Sequence, residues 1–449
     1  MSDSPDDRSF NNIFRRWRVH DKKYECGAMM QVESEMPLPM TNDPINVLSV
    51  NDFDLLNRRF NGYDLIDRLK KYGVESRFIV WKKRSGDPRV KRMCGGIHWT
   101  ALRFGIKMIE RGLGIQNVLY PFHVRLVVDD WFKKADIVHF HLIHNEFFSL
   151  MAIPDISRKK KIVWTVHDPW LVTGHCVYPM DCQEWMRGCP SCPHLDHPKI
   201  VYMDMSARMC RIKRRIVRGS NIHFVVASEW MKRLLESSPV TEGQNITVIP
   251  FGIDLDRFGG VDKRDARRSL GIDDGSTLIA FRTIPGPFKG MDHAIEAMLS
   301  LEGEHDITII TFGKTGFVED LKKRFKVIEL GWASEEQISM MRGACDIFVM
   351  PSMAEAFGLM AIELMASGVP VIAYKDTAIE EIVLPERTGI LVDRGDIPGL
   401  RRAIEDLVLN PEYRKRLGDN SLIVARERYD IERQVRQTAE LYRSCLDDR

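Results

Sequence analysis

Glu355-Ala-Phe-Gly-Leu-Met-Ala-Ile-Glu363, entered from the apolar run Ile347-Phe-Val-Met-Pro351, is the stretch from which the rest of this chain can be read. Ile347 to Met350 has the length and composition of a buried strand, Pro351 to Ala356 reads as a crossing loop, and Gly358 to Ala366 as a helix. The first backbone N–H groups of such a helix have no internal partner, which suits a phosphate or sugar oxygen. Glu355 falls in the loop just before the helix and Glu363 about two turns into it, so the two carboxylates can accept from different hydroxyls of one extended ligand. By physics alone the same segment reads equally as a helix with one capping and one solvated glutamate.

Outward from this unit the chain alternates short apolar runs with helical patterns. The runs are Ile45 to Val50, Ser76 to Trp81, Ile137 to His141, Lys161 to Val166, Ile222 to Ala227 and Ile246 to Pro250. After a linker around Phe251 to Val261 they resume at Thr277 to Phe281, Ile307 to Phe312, Lys326 to Leu330, Ile347 to Met350, Val369 to Tyr374 and Gly389 to Val392. Strands separated by helices predict parallel sheets covered on both faces. Two such series predict an α/β protein of two doubly wound, Rossmann-like domains, with a ligand cleft where the carboxyl ends of the strands face each other. The length, 449 residues, accommodates two cores. The expected organisation is an arm over 1–44, a first domain over 45–255, a second over 256–427, and a terminal helix over about 428–449 with Ile431, Val435, Ala439 and Tyr442 on one face.

The formal charge of +2 gives no reason to expect nucleic acid as a partner. The start, Met1-Ser-Asp-Ser-Pro-Asp-Asp, lacks the pattern of a secretory signal, and no 18-residue apolar run follows, so a cytoplasmic protein is expected. Nine cysteines, an odd number, fit free thiols in a reducing compartment. In the arm, Phe10, Ile13, Phe14 and Trp17 alternate with Arg15, Arg16 and Arg18, the pattern of a short basic amphipathic helix. It reads either as an arm packed on its own protein or a tail, or as a peripheral contact with a membrane surface.

The string E-A-F-G-L-x-x-x-E followed by Met365-Ala-Ser-Gly-Val-Pro-Val-Ile372 resembles the signature of the retaining glycosyltransferases of family 4, which have the two-domain GT-B fold. The resemblance implies transfer of a sugar from a nucleotide-diphosphate donor to a hydroxyl acceptor, a glycan or lipid-linked glycan, with no cofactor required for catalysis. It assigns Glu355, with the backbone of Phe357, Gly358 and Leu359, to the donor sugar and Glu363 to the ribose. It also assigns Lys289, in Phe281-Arg-Thr-Ile-Pro-Gly-Pro-Phe-Lys289-Gly290, to the diphosphate, whose charge must be neutralised as the glycosidic bond breaks. Arg282 stands near the family's second basic position, across a longer loop with two prolines. His167, in Thr165-Val-His167-Asp168, matches a family histidine that reaches the transferred sugar, and the final helix is expected to cross back onto the first domain. The loop after Val50 departs from the family pattern: its glycine pair is missing, which leaves Arg58, Arg59 and Asn61 as candidates for phosphate or acceptor contacts.

Cys176, Cys182, Cys189 and Cys192 fall within seventeen residues in a Cys-x5-Cys-x6-Cys-x2-Cys spacing, which suits a structural zinc site, free buried thiols or a redox-labile disulfide. The surrounding H-D-P-W-L-V-T-G-H-C string resembles a family 4 subgroup linked to bacterial surface polysaccharide. Two D-x-D strings, Asp52-Phe-Asp54 and Asp254-Leu-Asp256, are set aside as metal motifs, because Lys289 and the helix N-terminus supply positive charge for a diphosphate. The alternatives to a transferase are a nucleotide-sugar epimerase or hydrolase of the same fold, or a non-catalytic module that binds a nucleotide sugar or glycan.

Overall fold

The computed structural model describes residues 43–56, 59–195, 201–258 and 261–447. The amphipathic pattern in the arm and Arg58 lie outside the described residues.

The first sheet has seven parallel strands: β1 (Ile45–Phe53), β2 (Val74–Lys82), β3 (Val90–Arg92), β4 (Ile137–Phe140), β5 (Lys161–Thr165), β6 (Ile222–Val226) and β7 (Asn245–Val248), in the order β3-β2-β1-β4-β5-β6-β7. The second has six: β8 (Thr277–Thr283), β9 (Ile307–Gly313), β10 (Lys326–Glu329), β11 (Ile347–Met350), β12 (Val371–Tyr374) and β13 (Gly389–Val392), in the order β10-β9-β8-β11-β12-β13. Each expected run is a strand within a few residues of its expected ends. β3 is an addition, a three-residue edge strand whose Lys91 and Arg92 give it no apolar signature.

The central strands are apolar on both faces because helices cover both. In β11, Ile347, Phe348 and Val349 are buried, and Val349 pairs with Phe281 of β8 and Ile372 of β12. In each sheet the strand order reverses once, between β1 and β4 and between β8 and β11. Such a reversal opens a crevice at the carboxyl ends of the strands, the usual ligand position in this architecture. The loops that leave β1, β8 and β11 carry Arg59, Lys289 and Glu355.

Six helices matter below: α1 (Ile97–Gly112), α2 (Ser206–Arg218), α3 (Met291–Leu299), α4 (Glu335–Ala344), α5 (Leu359–Met365) and α6 (Ile431–Asp447). α6 lays Ile431, Val435, Ala439 and Tyr442 against Ile45, Val47, Val74 and Ile137 of the first sheet. Its start is pinned by Arg68, which pairs with Asp254 at 2.9 Å and with Glu432 at 2.5 Å.

Candidate functional site

α5 starts one residue later than Gly358, which is its N-cap at φ 114°. A side chain there would be strained by that backbone and would press on Ile379 Cδ1 at 2.6 Å, so glycine is the residue that fits. Glu363 is then the fifth residue of the helix, little more than one turn from its first rather than two. Glu363 lies on the buried face of the helix, where it is 1% exposed. Two arginines meet it: Arg342 of α4, at 3.5 Å and itself buried, and Arg59 from the loop after β1. Arg59 also binds Glu335 at 2.6 and 2.8 Å. Burial pushes the Glu363 carboxyl above its ordinary range, and the two guanidiniums pull it back toward the ionised form.

Lys289 precedes Gly290, whose φ of 61° and close approach to the Pro351 carbonyl leave no room for a Cβ. The tight packing of that turn onto the β11 loop aims Lys289 Nζ at Glu355 Oε2, 2.9 Å away. Arg282, at the end of β8, lies close enough to feel Glu355 and Glu363, and burial pulls its guanidinium below the usual range.

These groups line a cleft of about 480 Å³, within the ordinary size of a ligand site. All eight residues singled out from the sequence as catalytic or donor-binding border it: His167, Arg282, Lys289, Glu355, Phe357, Gly358, Leu359 and Glu363. Arg59, Phe60, Tyr178 and Phe251 join them from the first domain.

His167 stacks on Phe251 at 5.6 Å and tilts against Phe60 at 5.1 Å. Its Nε2 shares a hydrogen bond with His141 Nδ1 at 3.2 Å, and its Nδ1 has no hydrogen-bond partner among the described residues. Behind them His139 bridges Tyr442 Oη of α6 and Thr165 Oγ1, both at 2.7 Å. Burial holds His139 and His167 down at about 3 and His141 well below its ordinary value, so the three rings are neutral near pH 7. Asp168 faces away from the cleft, pairing with His144 at 3.2 Å and capping the turn at Trp170. Asn61 does not act as a ligand contact: it is fully buried, and its side chain is spent on the carbonyls of Phe53, Asp54 and Leu56, which fold the loop.

Sequence reasoning missed Tyr178. It stands in the cysteine-rich loop and crosses to the second domain, where its ring meets Phe288 at 5.3 Å and its hydroxyl lies near the Ala356 backbone. Burial, then Glu355 and Asp168, push the phenol well above its ordinary value, so it stays protonated and keeps a proton to donate. A single loop tyrosine leaves no periodic trace.

Cys176, Cys182, Cys189 and Cys192 lie near one another in that loop. Cys176 interacts with Cys192, while Cys189 is drawn to Cys210 of α2 and accepts from Gly174 N–H at 3.2 Å. Among the described residues no three His, Cys, Asp or Glu side chains are placed to hold a metal ion. The loop is clipped instead by buried Lys213 of α2, which donates to the Trp170 and Thr173 carbonyls at 2.5 and 2.8 Å and lies 3.6 Å from the Trp170 ring centre. Burial draws that lysine down to about 8.

Two family models match end to end. Glycosyltransferase Family 4 covers residues 63–257 and Glycosyl transferases group 1 covers 262–422. The chain belongs to the family 4 glycosyltransferases. It is 26% identical over 243 residues to the MMP alpha-(1->4)-mannosyltransferase of Mycolicibacterium hassiacum, covering 52% of this chain and 57% of that one. It is 25% identical over 260 residues to the putative colanic acid biosynthesis glycosyl transferase WcaC of Escherichia coli, covering 55% and 62%. The chain thus spans about three fifths of the length of these relatives. A solved structure of Anabaena HepE in complex with UDP and glucose shares the GT-B fold at a TM-score of 0.59 and 17% identity, covering 89% of this chain and 100% of that one.

Proposed function

We propose that this family 4 chain is a retaining glycosyltransferase that moves a sugar from a nucleoside-diphosphate sugar to a hydroxyl acceptor in the assembly of a polysaccharide or glycoconjugate. The observation that carries this reading is the Lys289–Glu355 pair at the mouth of the cleft, with His167 and Tyr178 on the opposite lip and Glu363 inside. The HepE complex with UDP and glucose and the colanic acid relative support the donor class and the pathway class.

In this reading Glu363 accepts from the ribose hydroxyls, Lys289 and Arg282 neutralise the diphosphate, and Glu355 orients the sugar. The acceptor oxygen attacks the anomeric carbon on the face from which the diphosphate leaves. The carbon–oxygen bond to the diphosphate breaks, and the acceptor's proton passes to a leaving phosphate oxygen. Glu355 is then a positioning group for charge and hydroxyls, and no side chain acts as a covalent nucleophile. The donor would be cytoplasmic UDP- or GDP-sugar, and the acceptor a glycan or lipid-linked glycan.

A thermal-shift screen against UDP, GDP, ADP and their sugar conjugates tests the donor assignment, because a ligand that binds only the folded chain raises its melting temperature. A shift with one nucleotide that is lost in Glu363→Ala supports it. No shift with any of them would overturn it. Sugar released or epimerised rapidly without acceptor would favour a hydrolase or epimerase.

A further inference from the structure

A buried histidine behind the cleft decides what His167 can do inside it. β4 and β5 are parallel neighbours, with Phe140 opposite Trp164. Side chains alternate along a strand, so His139 and His141 share one face of the sheet, and Thr165 and His167 follow the same alternation at the end of β5. The same two-residue offset makes His139–Thr165 and His141–His167 successive rungs of one polar ladder, with 2.7 and 3.2 Å between the bonded atoms. The outer rung ends in the cleft, which His167 lines. The inner member of that rung, His141, is buried, with its ring packed between His139 at 4.2 Å and His167 at 5.5 Å. Its backbone is fixed as well: its N–H donates to the Val50 carbonyl, and its own carbonyl accepts from the Ile143 N–H.

The far edge of the His141 ring tells where its proton sits. Nε2 has no hydrogen-bond partner among the described residues, and it is the atom nearest to where a Gly62 side chain would begin, 3.3 Å away. What Gly62 presents there is a Cα–H. A bare ring nitrogen can accept weakly from a C–H, whereas an N–H aimed at it would be a buried donor with nothing to receive it, the rarer and costlier arrangement. Burial keeps His141 neutral, and a neutral imidazole with a bare Nε2 carries its proton on Nδ1. That proton goes to His167 Nε2. His167 is also kept neutral by burial, so a ring that accepts at Nε2 holds its own proton on Nδ1. Phe60 and Phe251 hold that ring in place. No lone pair of His167 is then left free.

We propose that His141 is a positioning residue for transfer: by donating from Nδ1 to His167 Nε2, it makes His167 a hydrogen-bond donor to the ligand through Nδ1–H and removes it as a base. A donor at this lip suits an oxygen of the sugar. The acceptor's hydroxyl proton is left to the departing phosphate oxygen. With the opposite assignment His167 would carry its proton on Nε2 and keep a lone pair on Nδ1, the state of a general base. The proton assignment stands on the packing of the three rings and Gly62, while its consequence for catalysis rests on the transferase reading.

The test is the nitrogen NMR spectrum of the full chain with isotope-labelled histidine, His141 and His167 being assigned from the signals lost in their own variants. His167 should show a protonated Nδ1 and a bare Nε2, and His141 the same. The amide of His141→Asn can stand where Nδ1–H stood, so this variant should keep the His167 pattern. His141→Leu offers no donor and should lose it, with proton density appearing on Nε2. With UDP-, GDP- and ADP-sugars as donors, the leucine variant should turn over about three- to tenfold more slowly at unchanged nucleotide Kd, and the asparagine variant should recover most of the loss. A wild-type His167 protonated on Nε2, a pattern unchanged in His141→Leu, or equal turnover in that variant overturns the proposal. If the leucine variant does not fold, the wild-type and asparagine spectra decide. The spectra are taken without nucleotide, so a chain that transfers no sugar would sink the transferase reading separately from the proton assignment.

Discussion

Arg59 pairs with Glu363 across the cleft, joining a loop of the first domain to a helix of the second over 304 residues of sequence. Glu363 is the carboxylate assigned to the ribose, and Arg59 competes with the ribose hydroxyls for it. Arg342 remains beside Glu363 when Arg59 is removed, so the carboxylate keeps a cation to hold it ionised.

Replacing Arg59 with Ala should therefore tighten nucleoside-diphosphate binding by a few-fold, read as Kd by calorimetry. It should also loosen the apo protein, because Glu335 and Glu363 lose their bridge to the other domain. Small-angle scattering should show a larger radius of gyration without nucleotide and compaction when nucleotide is added. Weaker binding in the variant would show instead that Arg59 contacts the ligand.

Glu355→Gln keeps the shape of the mouth and removes the charge that Lys289 faces at 2.9 Å. Transfer should fall by about 100-fold or more, the scale seen when one preorganised electrostatic partner is lost, with nucleotide affinity nearly kept. Unchanged turnover would remove Glu355 from its assigned role.

Tyr178 reaches the same mouth from the opposite lip. Tyr178→Phe preserves the ring contact with Phe288 but deletes the hydroxyl that lies near the Ala356 backbone and Glu355. If the phenol helps hold the sugar, kcat should fall by roughly tenfold, and the folded state should lose no more than about 1–2 kcal/mol for one hydrogen bond. Equal turnover with equal stability would leave Tyr178 as packing only.

What the sequence disclosed about this site follows how local each signal is. Glu355, Gly358 and Glu363 share one loop and helix, so their spacing could be read directly, although not that Glu363 falls on the buried face of α5. Lys289 was legible through its match to the family's basic position, before a glycine and an apolar helix. Tyr178 and Arg59 come to the cleft, and His141 comes behind His167, through contacts 26 to 304 residues away in sequence, which no periodicity records. The cysteine spacing showed that four thiols share one loop, but not that Cys210 of α2 meets Cys189 there. β3 escaped notice because an edge strand of three residues with two cations carries no apolar run.

The buried histidines give a pH dependence with a definite sign. His139 is fully enclosed by Thr165, Tyr442 and His141 and stays neutral in the folded chain down to about pH 3, whereas an unfolded histidine titrates near 6.5. Between those values the unfolded chain binds a proton that the native chain refuses, so stability is full above about pH 6.5 and is lost as the pH falls. At full slope the loss is about 1.4 kcal/mol per pH unit for each such histidine. His141 adds a second contribution of the same sign, while His167 opens onto the cleft and is left out of the count. Carboxylates held low by their partners, such as Asp346 beside Lys263 and Arg267, act only below the ordinary carboxylate range, whereas Glu110 and Glu363, raised by burial, take up a proton in the folded chain first and offset part of the histidine loss. Urea midpoints measured from about pH 6.5 to 4.5 should fall with pH. In His139→Gln, which can still bond to Thr165 and Tyr442, the slope should be shallower by about one proton. An unchanged slope in that variant would mean that His139 is protonated in the folded chain, and its hydrogen bonds to the two hydroxyls would then need the opposite proton assignment.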